Sequence, residues 1–95
     1  MVSVENIEYG QNVVVANVYG LHARPAAEFV KLAAKFDSEI LVNKDGLEVN
    51  GKSIMGVMML AAEKGSTIEI KARGIDAREA VEALVNLVSD GFGEE

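Results

Sequence analysis

The chain has 95 residues, of which 49% are hydrophobic and 25% are charged, and this composition predicts one ordered domain spanning residues 1–95. With no cysteine and a single histidine, the chain lacks the side chains of a disulfide framework or of a thiolate or histidine-rich metal site, so no metal and no cofactor are expected. The formal net charge of −6 disfavours nucleic-acid binding, and no stretch approaches the roughly 20 apolar residues of a membrane helix, so a cytoplasmic protein without membrane insertion is expected.

The first predicted element is a strand at residues 13–18, a run rich in β-branched residues that follows a polar lead-in. Pro25 fits only in the first turn of a helix, because proline has no N–H group and a fixed φ. The first helix is therefore predicted to begin at His22 or Ala23 and to continue to about Lys35. Its apolar residues recur at steps of three and four and would form one stripe: Ala26, Phe29, Val30, Ala33 and Ala34.

Two short strands are predicted next, at residues 40–42 and 47–49. Asp45 and Gly46 lie between them, and this pair suits a tight hairpin because both residues accept a positive φ. Ser53 is then placed as the N-cap of a short helix that begins at Ile54. Helical spacing predicts two buried residues, Val57 and Leu60, and three that are at least partly exposed, Ile54, Met55 and Met58.

The clearest strand lies at residues 67–73, where apolar and polar side chains alternate. Asp76 and Glu79 resemble a capping box at the start of a final helix, and Gly91 suits its end, after which the tail is expected to be frayed. The predicted core face of this helix comprises Ala80, Val81, Leu84, Leu87 and Val88. Four strands and three helices, each with one apolar face, indicate a two-layer α+β domain.

The only histidine, His22, lies where a strand is predicted to give way to a helix. Free N–H groups and a partial positive charge at a helix start favour a bound anion. Imidazole is a nucleophile that can be uncharged near neutral pH. With Arg24 two residues further on, the pattern favours a group that accepts a phosphoryl group and passes it along. The alternative is a histidine that only caps or fills the turn.

A second cluster lies at residues 54–60, which hold three of the four methionines. Methionine side chains repack around different partners at modest cost, so an exposed patch of them suits docking to several proteins, with ordinary core packing as the alternative. A phosphate on Ser53 would bring about two negative charges to this patch. That charge would weaken docking to an acidic or apolar partner surface.

Two segments together resemble the HPr family, the histidine-containing phosphocarriers of the phosphoenolpyruvate-dependent phosphotransferase system. The sequence GLHARPAA at residues 20–27 resembles the active-site segment of that family, and GKSIMGVM at residues 51–58 resembles its regulatory-serine segment. The similarity runs from about Asn12 to Val88. The resemblance implies an open-faced β-sandwich, in which four antiparallel strands are covered on one face by three helices in the order βαββαβα.

The resemblance also implies roles for individual residues. His22 would accept a phosphoryl group on Nδ1 from phosphorylated enzyme I and give it to an enzyme IIA component, while Arg24 and first-turn N–H groups steady it. Ser53 matches the site modified by HPr kinase/phosphorylase. The chain would then be a relay substrate and not a stand-alone enzyme. Nothing in the sequence argues against a monomer, and the oligomeric state stays open. The implied docking face comprises Ala23, Arg24, Ala27, Lys31, Ile54, Met55 and Met58.

Three alternatives remain open at this point. The sequence MMLAA at residues 58–62 resembles a nitrogen-related branch whose members regulate and do not feed sugar transport, whereas Pro25 favours the sugar branch. A regulatory binding module would use the Met55 and Met58 patch and leave His22 unused. A small-ligand sensor would need an enclosed pocket, and the sequence offers no convergent set of polar groups for one.

Overall fold

A computed structural model of the chain describes residues 7–94 and shows the predicted βαββαβα order within that range. The elements are β1 (Glu8–Val14), α1 (Ala23–Ala33), β2 (Glu39–Lys44), β3 (Leu47–Asn50), α2 (Ile54–Met59), β4 (Thr67–Arg73) and α3 (Ala77–Ser89), followed by one 3₁₀ turn at Gly91–Gly93. The polar lead-in predicted before the first strand falls largely on residues 1–6, which lie outside the described residues. Within residues 7–94 no helix has the length and apolarity needed to cross a membrane.

The strands form one four-stranded sheet in the order β1-β4-β2-β3, with every neighbouring pair antiparallel. The central strand β4 alternates as predicted, and Ile68, Ile70 and Ala72 are buried. The three helices cover this apolar face, which confirms the open-faced sandwich. The hydrophobic centre joins residues from all three helices and the sheet, among them Phe29, Val57, Ile70 and Leu84. Each of these side chains contributes about 2 kcal/mol through the apolar surface that folding removes from water.

Three residues predicted for the core are not fully buried, and one of them, Val30, packs against the core as a partly buried residue. Ala34 is exposed because α1 ends one residue earlier and Ala34 is its C-cap. Leu87 is only partly buried because it lies, with Leu32, along an open groove of about 550 Å³ between α1 and α3. The apolar face of each helix was therefore predicted correctly, but three of the residues assigned to it are not fully buried.

The first strand lies earlier than predicted, at Glu8–Val14 and not at residues 13–18. Its register runs from Glu8 opposite Arg73 to Val14 opposite Thr67, so β1 pairs with the whole length of β4. The pairing supplies partners to a polar stretch whose own strand propensity is weak. Beyond the end of β1, the N–H of Val15 donates to the carbonyl of Ser66, just before the start of β4, at 2.8 Å, and the β-branched run continues outside the ladder.

Asp76 does not cap its own helix as the capping-box pattern predicted. Its carboxylate instead accepts hydrogen bonds from the N–H groups of Asp37 and Ser38, both at 2.9 Å, and from the Ser38 hydroxyl. Desolvation raises the pKa of Asp76, but these hydrogen bonds outweigh it and hold the pKa below its ordinary value. The carboxylate thereby ties the turn between α1 and β2 to the start of α3.

We expect Asp76→Ala to lower the free energy of unfolding by about 2 kcal/mol at neutral pH, because buried Ser38 loses a charged acceptor. Since the folded pKa of Asp76 is depressed, its contribution is present above the unfolded pKa and is lost as the pH falls through the folded pKa. Urea unfolding at neutral pH and in acid measures both effects. Glu79→Ala, an exposed carboxylate on the same helix, is the control, and equal losses in the two variants would contradict the assignment.

Candidate functional site

His22 is the N-cap residue of α1, at the end of the turn that follows β1. Its backbone is extended, with φ −75° and ψ −175°, and its carbonyl accepts the first helical hydrogen bond from the Ala26 N–H at 2.9 Å. The imidazole makes no capping hydrogen bond, and the side chain is 40% exposed. The alternative in which the ring caps the helix is therefore wrong, and the ring is accessible to a partner.

Gly20 and Leu21 fix the turn that carries His22. Gly20 has φ +67°, and a Cβ at this position would lie 2.2 Å from the Ala62 carbonyl oxygen. The N–H of Leu21 donates to that same oxygen at 2.9 Å, and the Leu21 side chain is buried. Only glycine allows this close approach, which holds the turn against the loop that follows α2.

The end of the chain brings a carboxylate to His22. Glu94 Oε2 lies 3.2 Å from His22 Nε2 and pairs with Arg24 Nη2, while Glu94 Oε1 accepts from Asn17 Nδ2 at 2.9 Å. Desolvation raises the pKa of Glu94, but the hydrogen bonds from Asn17 and Arg24 and the charge of Arg24 outweigh it, so the pKa lies below its ordinary value. Glu94 is therefore an ionised carboxylate beside the imidazole at neutral pH.

The prediction of a frayed tail is wrong for residues 91–94. Gly91 and Phe92 are buried, and Gly91 has a φ of +67°. Burial of the Phe92 ring anchors the tail, and this anchor places Glu94 next to His22. Glu95 lies outside the described residues.

Arg24 lies beside His22 but is shared between two carboxylates. Its Nη1 lies 2.9 Å from Glu28 Oε1, one helical turn along α1, and its Nη2 pairs with Glu94. The Arg24 side chain is 52% exposed, so solvent and partners still reach it. The sequence pointed to Arg24 for its charge near His22. The i,i+4 spacing of Arg24 and Glu28 was a signal for one of the two carboxylates, but no local pattern indicated Glu94.

A shallow depression of about 300 Å³ lies next to the imidazole and is open to solvent. Its lining includes His22, Tyr19 and Met58. The Tyr19 and His22 rings meet edge to face, with centroids 6.1 Å apart and an interplanar angle of 87°. The open shape suits the approach of another protein surface and differs from the enclosed pocket of a small-ligand sensor.

The structure places the predicted docking residues on α1 and α2, which pack against each other. Met58 shares the depression with His22, and Met55 is 73% exposed. Ala23, Lys31 and Ile54 are also exposed, whereas Ala27 is half-buried. Val57 and Leu60 are buried, as helical spacing predicted, and Met59, which was not singled out, is exposed.

Ser53 caps α2 as predicted. Its hydroxyl accepts a hydrogen bond from the Gly56 N–H at 3.1 Å, and the residue is half-buried. The neighbouring Lys52 ammonium donates to the Phe36 carbonyl at 2.7 Å, just beyond the end of α1. The charge nearest to Ser53 in sequence is thus engaged with the backbone.

Sequence reasoning missed four residues of this site: Asn17, Tyr19, Glu28 and Glu94. An amide in the apolar run before the GLH sequence was the one available signal for Asn17. The Glu94 contact joins residues 72 positions apart, for which no local pattern exists. Among residues 7–94 no group of three or more His, Asp or Glu side chains is arranged to hold a metal ion.

Comparisons with known proteins agree with this geometry. The family model described as "PTS HPr component phosphorylation site" matches residues 9–90. Phosphocarrier protein HPr of Neisseria meningitidis serogroup A is 49% identical over 84 residues, covering 88% of this chain and 94% of its own. The HPr-like protein Crh of Halalkalibacterium halodurans is 55% identical over 69 residues, covering 73% and 82%. The crystal structure of HPr from Thermoanaerobacter tengcongensis has a TM-score of 0.88 at 48% identity, covering 92% and 98%.

Proposed function

The chain belongs to the HPr family of phosphotransferase-system phosphocarriers, and from this premise we propose that His22 is the residue that accepts the phosphoryl group and passes it on. The observation that carries the proposal is the accessible imidazole at the start of α1, an 11-residue helix. The ring makes no capping hydrogen bond, so a phosphoryl group on it would not disturb the helix start.

The proposed donor is phosphorylated enzyme I and the proposed acceptor is an enzyme IIA component. A ring-nitrogen lone pair of neutral His22 attacks phosphorus as the bond from phosphorus to the donor breaks, so no general base is needed. The transition state of phosphoryl transfer is loose and in line, and positioning and charge stabilisation supply most of the rate enhancement. An open depression around the ring lets the two partners reach the same nitrogen in turn.

Two backbone N–H groups support an anion at this position. Pro25 has no N–H, and the Ala26 N–H donates to the His22 carbonyl, which leaves Ala23 and Arg24 with donors that have no acceptor within the helix. Such groups, together with the helix dipole, favour negative charge at a helix start. Arg24 adds a full positive charge within reach of the same ring.

The experiment that tests this function incubates the chain with enzyme I and labelled phosphoenolpyruvate. We expect one acid-labile phosphoryl group per chain, and we expect it to be discharged when an enzyme IIA component is added. Sugar-type and nitrogen-type IIA proteins, added separately, distinguish the two branches by which of them removes the label. A chain that takes no label from active enzyme I would refute the relay.

A regulatory binding role is the second candidate, because Met55 and Met59 are 73% and 65% exposed and the chain is also similar to an HPr-like protein Crh. In that role the methionine patch contacts a target protein and His22 is not used. Target binding would then survive His22→Ala and be lost on Met58→Glu. The relay predicts instead that both substitutions impair transfer.

We expect Ser53→Asp to weaken the complex with enzyme I about tenfold, because it adds negative charge beside the exposed methionines. Aspartate is itself a good N-cap, so α2 keeps an acceptor for the Gly56 N–H. Ser53→Ala is the control: it removes that acceptor without adding charge and is expected to leave the affinity unchanged. Calorimetric titration measures both variants, and equal affinities for Ser53→Asp and wild type would contradict a shared docking face.

A further inference from the structure

The contact between Glu94 and His22 identifies which ring nitrogen carries the proton. Glu94 Oε2 lies 3.2 Å from His22 Nε2, and hydrogen bonds from Asn17 and Arg24 keep the carboxylate ionised at neutral pH. An ionised carboxylate only accepts hydrogen bonds, so the donor in this pair is Nε2–H. In the neutral ring, the lone pair is then on Nδ1.

We propose that Glu94 is a positioning residue for His22: it holds the neutral ring in the Nε2–H tautomer and so directs the phosphoryl group to Nδ1. Asn17 in turn holds Glu94 in place. This inference rests on the proposed function of His22 and adds a residue of the C-terminal segment to the site.

Asn17 supports this role because its burial is otherwise unfavourable. It is 2% exposed, and its Nδ2 donates to the Gly20 carbonyl at 2.7 Å and to Glu94 Oε1 at 2.9 Å. Its Oδ1 has no hydrogen-bond partner within the described part of the chain, and leaving a buried acceptor unpaired costs stability. An apolar residue would avoid that cost. The Asn17 amide is needed because its nitrogen donates to both the His22 turn and the Glu94 carboxylate, and so joins them.

With the Nε2–H tautomer, His22 can accept and release the phosphoryl group without gaining or losing a proton. When Nδ1 forms its bond to phosphorus and the bond to the donor breaks, the proton stays on Nε2 and the ring becomes positively charged. The Glu94 carboxylate stabilises that charge, as the acidic member of a catalytic triad stabilises its imidazolium. When the acceptor attacks phosphorus, the N–P bond breaks, its electron pair returns to Nδ1, and the ring is neutral again. No proton has to enter or leave the site.

The test is a nitrogen-15 NMR measurement of the His22 tautomer, which needs no partner protein. In two-bond proton–nitrogen correlation spectra, we expect Nε2–H to dominate in the wild type. Glu94→Ala is expected to raise the Nδ1–H fraction severalfold. Glu94→Gln should fall between them, because its amide oxygen can still accept from Nε2–H. Glu82→Ala, an exposed carboxylate on α3, is the charge-matched control.

A kinetic arm measures the consequence for transfer. Glu94→Ala would also release Arg24, so it is made in an Arg24→Ala background, where we expect a further loss of about fivefold in the single-turnover rate. Asn17→Ala should shift the tautomer in the same direction as Glu94→Ala, with thermal melts confirming that each variant is folded.

Two results would overturn the inference: an Nδ1–H tautomer in the wild type, or the same tautomer ratio in the wild type and Glu94→Ala. The second result would refute it even if the transfer rate fell, because Glu94 would then act in another way. Each of these results leaves the phosphocarrier proposal intact. Failure of that proposal would show instead as a wild-type chain that takes no label from enzyme I.

Discussion

Replacing His22 by alanine is expected to abolish labelling of the chain by enzyme I and phosphoenolpyruvate, a loss of at least about a thousandfold. The chain has no other histidine, so no second imidazole is left to accept the phosphoryl group. The accessible ring at the start of α1 is the feature on which the whole relay depends. The measurement is the amount of acid-labile phosphate per chain after incubation with excess donor.

The variant should remain folded, which makes the result interpretable. His22 makes no capping hydrogen bond, so alanine at this position costs α1 less than about 1 kcal/mol. His22→Gln keeps a polar side chain without an imidazole lone pair and should also be unlabelled. Full labelling of either variant would rule out His22 as the acceptor.

Much of the fold could be predicted because its signals are local. Asp45 and Gly46 have φ values of 52° and 86°, as the hairpin required, and Ser53 caps α2 through its hydroxyl. The alternation along β4 and the position of Pro25 in α1 were equally direct. In each case neighbouring residues determine the conformation, so one stretch of sequence contains the whole signal.

The parts that could not be predicted depend on partners far along the chain. Asp76 looked like the cap of its own helix, but its carboxylate binds a turn 38 residues earlier. The first strand extends through a polar segment because β4 pairs with it there. Hydrophobic periodicity shows which face of an element is apolar, and it does not show which polar groups meet.

The candidate site likewise contains one residue that a local sequence signal predicts and others that are positioned by distant parts of the chain. His22 could be singled out because a single histidine at a predicted helix start places a nucleophile beside a site that favours an anion. Glu94 could not, because its position follows from the buried Phe92 ring and from a hydrogen bond to Asn17, 77 residues away. The imidazole was therefore predictable, whereas the groups that set its tautomer were not.

Arg24 is expected to contribute about thirtyfold to the rate of phosphoryl transfer. Its guanidinium is paired with Glu28 and Glu94, and a phosphoryl group on His22 would bring about two further negative charges to the same place. Without Arg24, the positively charged His22 ring would be the only cation left to offset the phosphoryl group and Glu94. Arg24→Ala should therefore slow transfer, and Arg24→Glu should slow it further because it reverses the charge.

Arg24→Lys separates charge from shape. Lysine keeps the positive charge but lacks the planar fork that contacts two anions at once, so an intermediate rate is expected. Arg78→Ala is the matched control, because Arg78 pairs with Glu82 on α3 with the same spacing as Arg24 and Glu28. Rapid-quench single-turnover transfer from phosphorylated enzyme I measures all four variants. If Arg24→Glu transferred at the wild-type rate, the guanidinium would have no part in holding the phosphoryl group, and its two ion pairs would serve only the fold.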